Sequence, residues 1–471
     1  MRMRVPLGPT AEPKGARPRG TPAGQPGYPV APWLAALPVI VCFNLPLTRI
    51  GGIVYLYDLL TVGAVLLMRF PGSRAVLERG YARAWTVLLA GIFVGYASSV
   101  VRAGFAFRPA AYTAQYLISM TYALSLVCNM AAGRLDPRAL ANWAALGGVL
   151  AALVGIVQYA LIQINPGLAN DLYLKYLQLS NYSSVAYEKI GMVLIAQGRA
   201  RITGGWPMAT SYGGVVCIGA GWVALSRLGW SRASQCYTCC VLAAVLSLSR
   251  HAWIGVLLAG GLLAFRTGRR RSEGLMMLLA SIGIGIALLS MYARSGGSLA
   301  DTGDMISGRF QRTVEQGMGD SSIEARYVSG TARFWNYALE DPTMLLVGVG
   351  SQVEVALRDL GVVPADQLGY VSNSWLLAWR NWGLAGFLGL LAMHWLIPAT
   401  ASVWLRCVPA LPALIILADN YAAHSASAFM VVLSFAAGIW GLALAPVRAG
   451  RRSEIPLPKP EQGRYSECAR A

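Results

Sequence analysis

The sequence predicts an all-α fold: a polytopic membrane protein of about twelve transmembrane helices, with one large polar loop domain between the ninth and the tenth. Three observations carry this expectation. Of 471 residues, 56% are hydrophobic and only 13% charged, and the mean hydropathy is +0.51, whereas soluble domains carry about 25% charged residues. Apolar runs recur along the chain, several reaching the roughly 20 residues that a spanning helix requires. The remaining charge is concentrated, since the stretch from Arg294 to Arg380 holds 10 of the 21 acidic residues and is broken by Gly and Pro.

Residues 1–30 are rich in Pro, Gly and Arg and nearly free of large apolar side chains, so they cannot bury enough surface to fold. No apolar run follows the first arginines closely and there is no cleavage signature, which makes the segment a disordered tail and not a signal peptide. Apolar runs then occupy about 32–48, 53–69, 84–101, 109–131, 139–162, 207–226, 236–249, 251–265, 274–293, 382–404, 408–423 and 427–446. The connections between them alternate in charge. One set holds Arg69, Arg74, Arg79, Arg83, Arg134, Arg138, Arg227, Arg232, Arg266, Arg269, Arg270, Arg271 and Arg406; the short connections of the other set hold only Arg49, Arg102, Arg108 and Arg250. The positive-inside rule puts the first set and both termini in the cytoplasm, and the second set outside together with the two long polar segments. The predicted organisation is a cytoplasmic tail (1–30), a transmembrane region (31–293) with an outer segment at 163–206, an outer loop domain (294–381), C-terminal transmembrane helices (382–446) and a cytoplasmic tail (447–471).

In the first outer segment Leu168, Leu172, Tyr173, Tyr176 and Leu177 recur at helical spacing, which predicts an amphipathic helix over Leu168–Gln178 on the membrane surface. Gly361–Gly369 reads as an irregular loop, and Asn373–Trp379 as a short helix leading into the next span. Trp375, Trp379 and Trp382 read first as interfacial anchors and second as sugar-stacking platforms.

The formal net charge of +18 would suggest nucleic acid in a soluble protein. Here the basic residues fall between apolar runs and at the termini, where they report topology, so no nucleic-acid partner is expected. The eight cysteines avoid the long polar segments, and Cys236, Cys239 and Cys240 have no second pair or neighbouring His to complete a metal site. No metal and no cofactor is predicted. Gly348-Val-Gly350 lacks the later glycine and helix signature of a dinucleotide loop and reads as tight packing.

Two arginines run counter to the topological bias. Arg201 stands in Gly198-Arg-Ala-Arg-Ile-Thr-Gly-Gly-Trp-Pro207 at the outer mouth of one span, and Arg250 in Ser247-Leu-Ser-Arg-His-Ala-Trp253 at an outer turn. Charge at such depth is costly and is kept for a purpose or snorkels to headgroups. The outer loop adds Arg333-Phe-Trp-Asn-Tyr-Ala-Leu339, Gly348-Val-Gly350 and Ser372-Asn-Ser-Trp-Leu376, followed by Gly383-Leu-Ala-Gly386. In this order, and in these positions relative to the membrane, the motifs resemble the O-antigen ligase and O-antigen polymerase family of bacterial envelopes. The resemblance covers about 195–395 by motif and the remainder by helix count.

The resemblance implies a metal-independent glycosyltransferase of the inner membrane. It would take glycan from an undecaprenyl-diphosphate carrier and join it to the hydroxyl of an acceptor glycan or lipid at the periplasmic face, with the outer loop as a periplasmic loop domain and proteins of a polysaccharide export pathway as partners. Residue chemistry agrees: the diphosphate leaving group needs cations or a metal, and outer guanidinium forks are available. Arg201, Arg250 and Arg333 are the expected catalytic cations, and Arg199, Arg309, Ser372, Asn373 and Arg380 the expected substrate contacts. Ser372-Asn373 stands where ligases of the resembling family carry His-Asn, and a serine cannot serve as general base near neutral pH. That favours a polymerase, or a ligase with its base elsewhere. His424 leads the candidates for that base, with Glu340, Asp341, Glu354 and Asp366 as rivals. The shape and elongation family of peptidoglycan glycosyltransferases and a transporter or flippase of lipid-linked glycan are the competing readings; the polar residues gather in one loop and the halves are unalike, which favours an enzyme.

Overall fold

The computed structural model describes residues 29–46, 48, 54–71, 80–172, 202–206, 209–247, 249–266, 328–353, 356–357, 374–397, 401–412 and 426–444. Among them there is helix and no strand. In chain order the helices are α1 (Pro32–Asn44), α2 (Leu56–Met68), α3 (Tyr81–Ala103), α4 (Phe107–Ala131), α5 (Pro137–Ile164), α6 (Pro166–Asp171), α7 (Ala209–Leu225), α8 (Trp230–Leu246), α9 (Arg250–Arg266), α10 (Ser329–Glu340), α11 (Thr343–Val347), α12 (Ser374–Trp395), α13 (Val403–Cys407) and α14 (Ala426–Leu444). Helices stand at every predicted apolar run except 274–293 and most of 408–423, which lie outside the described residues. Within α3, α5, α12 and α14 the chain is long and apolar enough to cross a membrane, and α1, α2, α7 and α9 are apolar but shorter. The 23 residues of α3 would reach about 34 Å, enough for a hydrocarbon core of about 30 Å.

Local chemistry sets the boundaries. Pro32 and Pro137 occupy first-turn positions where no helical N–H is needed, and Asp136 caps α5 by accepting from Arg138 N at 3.0 Å. Asn165 caps α6 in the same way, accepting from Leu168 N at 3.0 Å. This α6 covers only the start of the expected surface helix over Leu168–Gln178, whose remainder lies outside the described residues.

The bundle is organised around α14, which is apolar on all sides and buried nearly throughout, packing on α4, α7, α1 and α5. Small residues let the other helices approach closely. Gly91 and Gly95 on α3 meet Gly386 and the Asn381–Trp382 backbone on α12, and Gly148 on α5 meets Gly219 on α7, with no room for a Cβ at any of these crossings. The connections sort to two ends. At one, Arg227 pairs with Asp136 at 3.0 Å, Val30 N donates to Arg134 O at 2.9 Å and Asn129 Nδ2 donates to Arg69 O at 3.0 Å. At the other, Trp206 Nε1 donates to Phe43 O at 2.9 Å and Arg102 pairs with Asp341 at 2.5 Å. This second end also holds most of the buried polar residues, among them Asp58, Gln115, Gln158, Ser249, His251, Ser351, Ser374, Arg380 and Asn381.

Candidate functional site

The site is built on a break in α12. Gly383 has φ 64° and ψ −170° inside the helix, which interrupts the i→i−4 ladder. The Arg380 and Asn381 carbonyls accept instead from Val349 N at 2.8 Å and Gly350 N at 2.9 Å. The Gly348-Val-Gly350 segment can approach because Gly348 and Gly350 adopt φ of 76° and 89°, a region open to glycine and strained for other residues. A Cβ on Gly348 would strike the Asn381 carbonyl and one on Gly350 would strike Ser99. The pattern read from sequence as tight packing is thus a backbone clamp on a broken helix.

Around the clamp the side chains interlock. Trp382 Nε1 donates to Ser351 Oγ at 3.0 Å, and Ser351 is also hydrogen-bonded to Tyr116. Tyr116, Trp382 and Phe429 form an edge-to-face trio with centroids 4.9–5.4 Å apart. Trp382 is therefore a core residue and not an interfacial anchor, because the break turns its indole inward to Ser351. Trp379 stacks on Phe387 at 4.9 Å and donates to Leu345 O at 2.9 Å.

Arg380, an expected substrate contact, is only 4% exposed. Its guanidinium lies over the Tyr337 ring of α10 at 5.6 Å. The aromatic face stabilises a cation that burial would otherwise penalise, and a guanidinium fork is suited to binding an anion. Arg333, one turn before Tyr337 on α10, is exposed at the same end. Arg250 is the first residue of α9. Arg199, Arg201, Arg309, Ser372, Asn373 and His424 lie outside the described residues. The structure thus brings Arg380 and the helix bearing Arg333 together.

The stretch that follows Arg201 is held by a clasp. Gln158 Oε1 on α5 accepts from Thr203 N and Gly204 N, both at 2.8 Å, and Gln158 Nε2 donates to Thr203 Oγ1 at 3.3 Å. Gly204 (φ 52°) turns the chain against Tyr212, and the buried Ile202 and Trp206 pin the two ends. One side-chain amide thereby satisfies two backbone donors that would otherwise be buried unpaired.

Two further polar groups are buried. Asp58 sits buried in the first turn of α2, where Oδ2 accepts from Tyr55 N at 3.1 Å and from Gln115 Nε2 at 3.2 Å. The signal was a lone acid inside an apolar run, which is expensive in a membrane helix and therefore informative. His251 is buried on α9 with Nδ1 2.9 Å from Ser249 Oγ; its signal was its place beside Arg250. His394 is buried on α12, with Nδ1 bonded to Leu390 O at 2.8 Å. Outside the spans, Asp341 accepts from Thr343 Oγ1 at 2.5 Å and pairs with Arg102; these contacts, the Thr343 bond first, hold its carboxyl below the usual range.

Searches for relatives add no family to this picture: no protein-family model matches the chain, and no curated protein matches it.

Proposed function

We propose that the protein is a glycosyltransferase of the bacterial inner membrane that takes glycan from an undecaprenyl-diphosphate carrier and joins it to an acceptor hydroxyl at the periplasmic face, acting as a surface-polysaccharide polymerase. The observation that carries the reading is Arg380, a buried guanidinium at the broken start of α12, at the end of the bundle where α10 presents Arg333. Arg250 at the start of α9 and Arg201, two residues before Thr203 in the sequence, are assigned to the same anion by their order in the motifs. In this reading the acceptor oxygen attacks the anomeric carbon while the bond from that carbon to the diphosphate breaks. The electron pair leaves with the diphosphate, whose growing charge the arginines stabilise in place of a metal. The acceptor proton passes to a base, for which His424 remains the first candidate. The topology that goes with this function has twelve spans, both termini in the cytoplasm and 294–381 in the periplasm.

A second reading is favoured by one observation. A broken membrane helix beside buried polar residues is also how transporters build substrate sites, so export of a lipid-linked glycan is the rival. Ligation to lipid A core is the rival within the enzyme class. Glycans from a deletion strain separate the three. Single repeat units on the carrier or cell surface indicate a polymerase, full-length polymer retained on the carrier indicates a ligase, and carrier-linked units trapped on the cytoplasmic face indicate a transporter. Arg250→Lys should remove most transfer while leaving the protein in the membrane, because a point charge cannot reproduce the guanidinium fork. Near-normal polymer from that variant would take Arg250 out of the site.

A further inference from the structure

Helix α10 has three distinct faces. Phe334 and Ala338 are buried, and Phe334 packs on Trp379 of α12 at 5.5 Å. Arg333, Asn336 and Glu340 form an exposed polar face. Between them lie Ala332, Trp335 and Leu339, with Val328 at the N-cap, four residues whose spacing puts them in one stripe. Val328 and Trp335 are each 47% exposed and Leu339 80% exposed. An aligned apolar stripe on a helix from a polar loop requires a cover.

The structure also fixes where this helix packs. Its C-terminal end runs into Asp341, which pairs at 2.5 Å with Arg102 in the last turn of α3, a helix of membrane-spanning length. Its middle rests on Trp379, in the part of α12 that precedes the break. α10 is therefore packed near the ends of two neighbouring helices of membrane-spanning length. The surface beside it is apolar as well: Val101, Phe105, Phe107 and Leu346 are largely exposed there, continuing the apolar exterior that α3 presents along its length through Phe93 and Val94. Trp is favoured at membrane–water interfaces.

We propose that α10 is an interfacial helix, with Val328, Trp335 and Leu339 seated among the acyl chains of the adjoining leaflet and Asn336 and Glu340 turned to water. Arg333, on the polar face next to the stripe, is thereby held at the depth of the lipid phosphates. A carrier-lipid diphosphate would occupy the same depth, so the seat is compatible with the proposed reaction without depending on it.

The test uses the full chain in nanodiscs of phosphatidylcholine and phosphatidylglycerol, with the eight native cysteines replaced. Spin labels are attached through Trp335→Cys, Leu339→Cys, Asn336→Cys and Glu340→Cys, one at a time. Power saturation with oxygen and with a water-soluble nickel complex should give an oxygen-to-nickel accessibility ratio several-fold higher at 335 and 339 than at 336 and 340. Equal nickel access at all four positions would overturn the proposal. So would shielding of 335 and 339 from both reagents with spin–spin broadening, which would mean that a second copy covers the stripe. If the cysteine-free protein does not fold, the native protein and Trp335→Phe are compared in nanodiscs with brominated acyl chains. The substitution should remove a bromine-quenched component of the fluorescence, and an unchanged quenched fraction would count against the lipid seat.

Discussion

The Arg102 guanidinium meets the Asp341 carboxylate at 2.5 Å and also donates to Thr343 Oγ1 at 3.3 Å, joining the last turn of α3 to the start of α11. This contact ties the polar loop to the helix bundle. Asp341 is partly exposed, so solvent screens the pair and its energetic share is modest.

The pair makes the loop's attachment sensitive to acid. In the folded protein the Asp341 carboxyl titrates below its ordinary value, through Thr343 first and Arg102 after it. A carboxyl depressed on folding stabilises fully above its unfolded pKa of about 3.9 and loses that contribution as pH falls through the lower folded value. Asp341→Asn is expected to flatten the acid limb of protease resistance in 328–353 below about pH 4 and to lower that resistance at neutral pH by the same modest amount, because the variant lacks the carboxylate's contribution at every pH. An identical acid limb in the variant would show that other groups set it.

The crossing of α3 and α12 is expected to tolerate no side chain. A Cβ on Gly91 would collide with the Gly386 backbone, so Gly91→Leu must force the helices apart, at a cost of about 1–3 kcal/mol or more. Gly63 on α2 has open space around it, and Gly63→Ala should be neutral or stabilising by up to about 1 kcal/mol. Thermal unfolding in detergent reads both, and equal melting temperatures for the two variants would contradict the close packing described above.

Gln158 is expected to act through the chain it holds. Gln158→Leu leaves the Thr203 and Gly204 N–H groups without their acceptor, a loss of about 1–3 kcal/mol for each buried group. Gln158→Glu keeps an acceptor for both but adds negative charge beside the segment that follows Arg201. If that arginine serves a diphosphate, the Glu variant should melt close to wild type and show a raised KM for lipid-linked donor, while the Leu variant loses stability. A donor KM untouched in a stable Glu variant would separate the clasp from substrate binding.

Arg380→Lys keeps the charge and discards the plane that lies over Tyr337. Transfer of glycan should fall by about tenfold or more, the equivalent of roughly 1.4 kcal/mol of lost transition-state stabilisation. Full activity in a folded Lys variant would reduce Arg380 to a packing role.

Helix positions were legible from the sequence because burial in a bilayer demands long apolar runs, and hydropathy reads such runs directly. The tight packing at Gly348 and Gly350 was legible too, since few conformations require glycine twice in three residues. The tertiary structure alone decided what that packing serves, because the partner carbonyls come from Arg380 and Asn381 only once Gly383 has interrupted α12. It likewise decided the fate of Trp382, which local spacing put at an interface and which Ser351, Tyr116 and Phe429 draw into the core. Asp58 and Gln158 passed unnoticed as ordinary polar residues in apolar helices, for their meaning lies in partners 57 and 45 residues away. Periodicity and composition are properties of neighbours along the chain, whereas a helix break, a buried cation and a side-chain clasp are defined by contacts between segments that only packing brings together.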